Sequence, residues 1–448
     1  MSLFQRAKAA WREDNLLRRV VKNSSYLLSS NTISAALSFL QGIIVVRLLG
    51  VNGLGVMTTI TTFASNVNRL LSFRMSEVTV RHFNTALANG EKEQAAAIAK
   101  GIGLVEAAMS VAAYLILVML TPWAARTITK DVTVIPLYLF YGLVLLSNII
   151  FETSTGILQA YKRFDRVAVI NLIQSVITCT LILAAFVLRR GLTEVLAAYL
   201  IGKTFAGIAV IVLASRELNI NLGRGWWHTS LRTYTGWRGL FGFAINTNLN
   251  GTINLFVRDN IPLYIAGLLS TTEVGYLNIA QKLVLPLTMI LDPFIWPTYA
   301  EITQTIAQRQ WEITRRLLRR VSLVAGGVVA GLGSGLVLFG WWLIPLLYGS
   351  AARPAYPVLV VLLIGYGVAS IIQWNRPLLL ALGKPGVPLV VSALVGVAEI
   401  ALIFWVAPSY GYLAMTAIFS GYLVISTSII AWRGLREIGV QSSVSSDQ

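Results

Sequence analysis

Twelve apolar runs, each long enough to cross a lipid bilayer, take up most of this 448-residue chain. A bilayer core is crossed by about 20 helical residues. The runs fall near 24–48, 53–75, 97–120, 134–160, 167–188, 192–214, 238–269, 273–299, 317–347, 355–383, 387–407 and 411–432. Inside hydrocarbon every backbone N–H and C=O must be paired within the protein, and runs of this length achieve that as helices. The composition agrees: 56% hydrophobic and 12% charged residues leave too few polar side chains to coat a soluble globule. The reading is an all-α polytopic membrane protein of about twelve transmembrane helices. Pro262, Pro286, Pro293 and Pro377 lie inside long runs and predict tilted or kinked passes.

Orientation follows from where Lys and Arg collect. With the N-terminus inside, the cytoplasmic segments hold twenty-four of them, while the outer loops hold only Arg126, Lys130, Arg189, Arg190 and Arg353. Both termini are therefore expected in the cytoplasm. The formal net charge of +17 is thereby spread over membrane-surface contacts with anionic lipid, which excludes a nucleic-acid partner. The N-terminal stretch lacks the small-residue cleavage pattern of a signal peptide and reads as a retained cytoplasmic segment.

The long basic segment RELNINLGRGWWHTSLRTYTGWRG divides the runs six and six. Predicted domains are a cytoplasmic segment 1–23, an N-lobe 24–214, a linker 215–237, a C-lobe 238–432 and a cytoplasmic tail 433–448. The halves echo one another. RLLGVNGLGVMTTITTF from Arg47 and GLLSTTEVGYLNIAQKL from Gly267 match at Leu48/Leu268, Leu49/Leu269 and Gly55/Gly275. ILQAYKRF and LLLALGKP align Lys162 on Lys384. Six passes per half run both copies in the same direction, so the two lobes are related by a pseudo-two-fold axis along the membrane normal.

Seven cations remain inside the runs: Arg47, Arg69, Arg74, Lys203, Arg258, Lys282 and Arg376. An ionisable group at mid-membrane costs at least about 2.5–3.5 kcal/mol on insertion scales and ordinarily faces a cavity or a partner. At a rise of about 1.5 Å per residue, Arg258 and Lys282 lie at similar depth on adjacent antiparallel passes. Arg74 reads as snorkelling to the surface. The acids Glu152, Asp259 and Glu399 share the middle depth, with Glu77, Glu106 and Asp292 nearer the inner face. They either pair cations between helices or carry a coupling ion; the residues alone leave both open. Polar stretches at Thr58 to Asn68 and Asn246 to Asn254 start equivalent parts of the two halves and point to a hydrophilic cleft.

Other chemistries lack their residues. His82 and His228 have no ligand-spaced neighbours, Cys179 is the lone cysteine, and no GK[ST] loop occurs, so neither a metal site nor ATP hydrolysis is expected. Outer loops this short offer no place for a glycosyl-transfer site. The chain is expected not to be an enzyme, and transport remains.

RLLGVNGLGV, RDNIPLYIAGLLSTTEVGYLNIAQKL and WPTYAEITQ followed by a basic stretch resemble the polysaccharide flippases of the multidrug/oligosaccharidyl-lipid/polysaccharide exporter superfamily. The resemblance is strongest at 31–100 and 240–320. It implies a two-lobe fold whose first two helices of each lobe line a central cavity, and alternating access that moves an undecaprenyl-pyrophosphate-linked oligosaccharide outward across the cell membrane. Under that resemblance Arg47, Arg69, Arg258, Lys282 and Arg376 suit the pyrophosphate through charge-assisted hydrogen bonds. Asn66, Asn68, Asn246 and Asn250 suit sugar hydroxyls. Asp259, Glu77 and Asp292 are candidates for coupling to a proton or sodium gradient, with no other cofactor. A monomer working beside polysaccharide assembly proteins is expected. A cation-coupled multidrug exporter of the same superfamily and a peptidoglycan-precursor lipid flippase are the alternatives. The first usually has an acid in its first helix, which 24–48 lacks; the second typically has two further helices.

Overall fold

The computed structural model describes the backbone of residues 15–446 apart from Phe73. Side chains are described over that range except at 15–29, 31, 246, 247, 249–251, 253, 296, 407, 408 and 442–446. Regular structure among the described residues is helical throughout. In chain order the α-helices are α1 (Asn15–Leu71), α2 (Met75–Ala88), α3 (Lys92–Thr127), α4 (Ile135–Ser147), α5 (Phe151–Ala160), α6 (Phe164–Val187) and α7 (Leu192–Leu222). They continue with α8 (Trp237–Asn254), α9 (Ile261–Leu268), α10 (Thr271–Leu291), α11 (Ile295–Ala307), α12 (Trp311–Tyr348), α13 (Ala355–Ile371), α14 (Asn375–Ala381) and α15 (Gly386–Ser446).

Ten stretches among the described residues are long and apolar enough to cross a membrane. The first, Thr32–Ala88, contains the first two expected passes, and the seventh expected pass is interrupted; dividing the one and adding the other recovers twelve. The division in α1 rests on one residue. Gly50, at φ 72°, turns the chain between the first two passes, and Gly411, at φ 71°, does the same between the last two. Only a residue without a Cβ adopts that backbone freely. The second copy of the echoed hairpin turns differently, on extended Ser270, whose hydroxyl accepts the Thr272 N–H at 3.2 Å.

Four expected passes are interrupted, the eighth by a 3-10 turn over Asp292–Phe294 between α10 and α11. The fourth divides into α4 and α5 at Asn148–Ile150, and the tenth into α13 and α14 at Ile372–Trp374. In the seventh, Pro262 lacks the N–H that would pair with Arg258 C=O. The backbone responds with a π-helical turn over Leu255–Asp259, in which Asn260 N–H donates to Leu255 C=O at 2.9 Å. Expected boundaries also shift: the sixth pass runs on through Leu222, so the first residues of the expected linker are helical.

Packing divides the described chain into two compact units. The first holds the described residues up to Ile44 with Ala64–Pro122 and Thr133–Gly251. The second holds Val45–Phe63, Trp123–Val132 and the described residues from Thr252 onward. In the first, α2 buries Met75, Val78, Phe83 and Ala86, a spacing that lines one helical face, against Ile98, Ile102, Leu158 and Val210. Its end is latched by Glu217, 1% exposed, which takes Arg163 at 3.0 Å and Arg166 at 2.7 Å. The second unit carries a matching latch, Lys384 to Glu437 at 2.7 Å, 220 residues after Glu217. Its core collects Ile302, Leu318, Trp374, Leu378 and Ile438. Leu338, Phe339 and Trp341 of α12 stay exposed, as lipid-facing side chains do.

Candidate functional site

The break in the fourth pass is built by α3. Glu106 and Ser110 are four residues apart and so share a helix face. Glu106 accepts the backbone N–H of Glu152 at 2.9 Å and of Thr153 at 2.8 Å, and also the Thr153 hydroxyl. Ser110 donates to Ile149 C=O at 3.3 Å. A buried carboxylate thus satisfies the first N–H groups of α5, which the break would otherwise leave unpaired. Glu152 in turn accepts from the Ser76 N–H at 3.3 Å and its hydroxyl at 3.4 Å.

Beside this break lies a cavity of about 410 Å³ inside the first unit. Its polar lining includes Asn68, Arg69, Glu106, Tyr141, Asn148, Glu152 and Lys203, with three serines. Both signs of charge and several amides therefore face one space, which suits a polyhydroxylated or anionic group and is too polar for a plain apolar ligand. Asn68 was legible in the sequence as the end of the polar stretch, and Arg69 as an intramembrane cation. Lys203 was legible as an intramembrane cation. Glu106, Tyr141 and Asn148 were not assigned to the site, although an acid within an apolar run is itself a signal.

The second unit gathers charge around the π-helical turn. Arg258 projects from it within electrostatic reach of the Tyr366 hydroxyl, as does Asp259. Asp292, Glu399 and Tyr422 also lie within electrostatic reach of Arg258. Tyr264 of α9 donates back to Phe256 C=O at 2.9 Å and so holds the turn. Glu399 is 2% exposed, and neither of its carboxylate oxygens has a hydrogen-bond partner among the described residues. A π-bulge of this kind often marks a functional position. Arg258, Asp259 and Asp292 are thus brought together, joined by Tyr366, Glu399 and Tyr422, which came from three passes that sequence spacing could not unite.

The remaining expected residues are dispersed. Arg47 donates through Nε to Leu347 C=O at 2.8 Å and through Nη2 to Leu346 C=O at 2.6 Å, capping the end of α12. Glu77 pairs with Arg74 at 2.7 Å in the turn that starts α2, both about half exposed. Lys282 stands on α10, Arg376 is exposed on α14, and Asn66 is buried on α1. The side chains of Asn246 and Asn250 lie outside the described residues.

The fold is that of known membrane transporters. The inward-facing conformation of a multidrug resistance MATE family transporter of the MOP superfamily superposes with a TM-score of 0.72 at 13% identity, covering 92% of this chain and 96% of that one. The lipid II flippase MurJ, in an inward closed conformation, gives a TM-score of 0.70 at 13% identity, covering 93% and 91%. In sequence, the inner membrane protein YghQ of Escherichia coli (strain K12) is 25% identical over 162 residues. That match spans 36% of this chain and 44% of the relative's length. A family model described as polysaccharide biosynthesis protein matches residues 44–357. With ten stretches long and apolar enough to cross a membrane among its described residues, this multi-pass chain belongs to the polysaccharide biosynthesis protein family.

Proposed function

We propose that this protein is a flippase that moves an undecaprenyl-pyrophosphate-linked oligosaccharide from the cytoplasmic to the outer leaflet by alternating access. The observation that carries the reading is Arg258, presented on an interrupted membrane pass beside the hydroxyl of Tyr366. A guanidinium offers paired donors matched to phosphate oxygens, and an interrupted helix is where transporters commonly place a substrate group. Within the second unit Lys282 and Arg376 are assigned, like Arg258, to anionic headgroup oxygens; within the first, Asn66, Asn68 and Arg69 are assigned to polar substrate groups, as are Asn246 and Asn250. No bond is made or broken in this cycle, so the chain needs no catalytic group.

Coupling is assigned to the acids beside Arg258: Asp259, Asp292 and the buried Glu399. A carboxylate that gains or loses a proton or sodium ion alters the charge facing Arg258, and with it the hold on an anionic headgroup. The test is reconstitution in proteoliposomes with a fluorescently labelled lipid-linked oligosaccharide whose outer-leaflet fraction is read by a membrane-impermeant lectin. Arg258→Ala is expected to abolish transfer with folded protein retained. Transfer unchanged in that variant overturns the assignment, and export of cationic dyes without glycan transfer replaces the reading with a multidrug exporter. Imposing proton and sodium gradients separately identifies the coupling ion; indifference to both overturns the coupling assignment.

A further inference from the structure

A second crevice in the first unit lies apart from the polar cavity and has the opposite character. It holds about 270 Å³ and is walled by Ala99, Gly103, Leu104 and Ala107 of α3, Ile149, Ile150 and Ile157 of the fourth pass, and Ala214 and Leu218 of α7. Trp226 and Trp227 roof it. Lys100 is the one ionisable residue that lines it.

The roof is held in place. Trp226 Nε1 donates to Asn219 Oδ1 at 3.1 Å, and the two indoles meet edge to face at 6.4 Å. Lys100 Nζ donates to Thr229 C=O at 3.1 Å and sits 5.6 Å from the Trp227 ring, which leaves two of its three N–H groups for an incoming anion. Leu104 and Trp227 are exposed at the opening, so the crevice is reached from outside the unit. Arg224 and Arg232 are exposed on the same linker and add positive charge to it. An apolar slot beneath an indole roof, with a lysine at its rim and further basic residues on the linker, is complementary to one kind of molecule at a membrane surface: a lipid with an anionic headgroup.

We propose that this crevice is a binding site for an anionic phospholipid, its acyl chain running between α3, α5 and α7 and its phosphate held by Lys100. The site pins the linker to the first unit and is separate from the site assigned to transport. Gly103 supplies the means to test it. A Cβ there meets only Thr153 Cγ2 at 3.9 Å and Ile150 Cγ2 at 4.0 Å, so a leucine fits on the helix and fills the slot. Native mass spectrometry of the full-length protein, delipidated and titrated with dioleoylphosphatidylglycerol or dioleoylphosphatidylcholine, reads the result. The wild type is expected to retain one phosphatidylglycerol at least tenfold more tightly than phosphatidylcholine. Lys100→Gln is expected to erase that preference, and Gly103→Leu to remove the tight adduct altogether, with Leu104→Trp as a second filling variant should the first fail to fold. Equal retention of both lipids by the wild type, or an undiminished phosphatidylglycerol adduct in a folded crevice-filled variant, overturns the proposal.

Discussion

Gly55 lies against the carbonyl of Thr271 with no room for a Cβ, and Gly275 lies in the same way against the carbonyl of Val51. Each pair is the other displaced by 220 residues, the offset at which the two hairpins echo in sequence. The contact is therefore symmetric within the repeat: two helices cross where each offers a glycine to the other's backbone. The Asn52 Oδ1 also accepts from both the Thr271 hydroxyl, at 2.5 Å, and the Thr272 hydroxyl, at 3.4 Å. Close approach through small residues with polar bonds beside it is how helices associate where water supplies no hydrophobic drive.

Alanine at either glycine forces this crossing apart. Gly55→Ala and Gly275→Ala are each expected to destabilise by about 1–3 kcal/mol, the usual cost of overpacking. Because both substitutions separate the same two helices, the double variant is expected to cost clearly less than the sum. Thermal unfolding of the four proteins in detergent reads the cycle, and strict additivity would show that the two contacts are independent.

Arg47 makes a second prediction, against its promise in the sequence. Its two bonds to Leu346 and Leu347 carbonyls cap a helix whose last turn contains Pro345. Arg47→Ala is expected to lower stability by on the order of 1 kcal/mol, discounted for the exposure of the side chain. Arg47→Lys keeps one bond and roughly half the effect. Lipid-linked glycan transfer per folded molecule should stay within twofold of wild type in both; a loss of transfer at full stability would return Arg47 to the substrate.

Glu106 and the break at Asn148–Ile150 give a third. Glu106→Ala strips two buried N–H groups of their acceptor, at about 1–3 kcal/mol each. Glu106→Gln turns an amide donor toward one of those same donors and is expected to recover less than half of the loss. Hydrogen exchange should rise first at residues 151–154. If it rises evenly over the first unit instead, the carboxylate is not what holds α5.

How far the sequence reaches is clear from these residues. The helical passes and the echoed hairpins were legible, because hydropathy is set by the bilayer, whereas the packed units take Val45–Phe63 together with the second half of the chain. Legible too were the polar stretch ending at Asn68 and the intramembrane cations Arg69 and Arg258. The interruptions were not. Pro262 announces a kink, yet the π-turn packs against α15, a helix more than a hundred residues later that the local sequence does not name. Glu106 was visible as a misplaced acid, but nothing in its own helix says that it serves the end of another. Hydropathy placed Arg47 inside the first run without naming the α12 carbonyls that it meets. Charge shows that a partner exists; tertiary packing chooses it.

The two latches differ enough to be told apart. Glu217 is 1% exposed and shared by two arginines, whereas Glu437 and Lys384 are 27% and 42% exposed. Removing a buried member of an ion pair strands its partners, and Glu217→Ala is expected to cost about 2–4 kcal/mol. The exposed pair is worth about 0–1 kcal/mol, so Glu437→Ala should scarcely move the melting temperature. Raising salt should erode the second latch and leave the first; equal costs for the two would mean that burial is not what separates them.

The last prediction concerns how Arg258 is used. If the guanidinium grips a pyrophosphate through paired donors, lysine is a poor substitute, because a single ammonium lacks the planar fork. Arg258→Lys is then expected to raise the KM for lipid-linked oligosaccharide by about tenfold, or 1.4 kcal/mol, with folded yield unchanged. Tyr366→Phe removes the hydroxyl that lies within electrostatic reach of the guanidinium and should raise KM by a few-fold. Combining the two should add little to Arg258→Lys alone, since the hydroxyl acts through the arginine it orients. A Tyr366→Phe effect that persists undiminished in the Arg258→Lys background would instead place the tyrosine on the substrate directly.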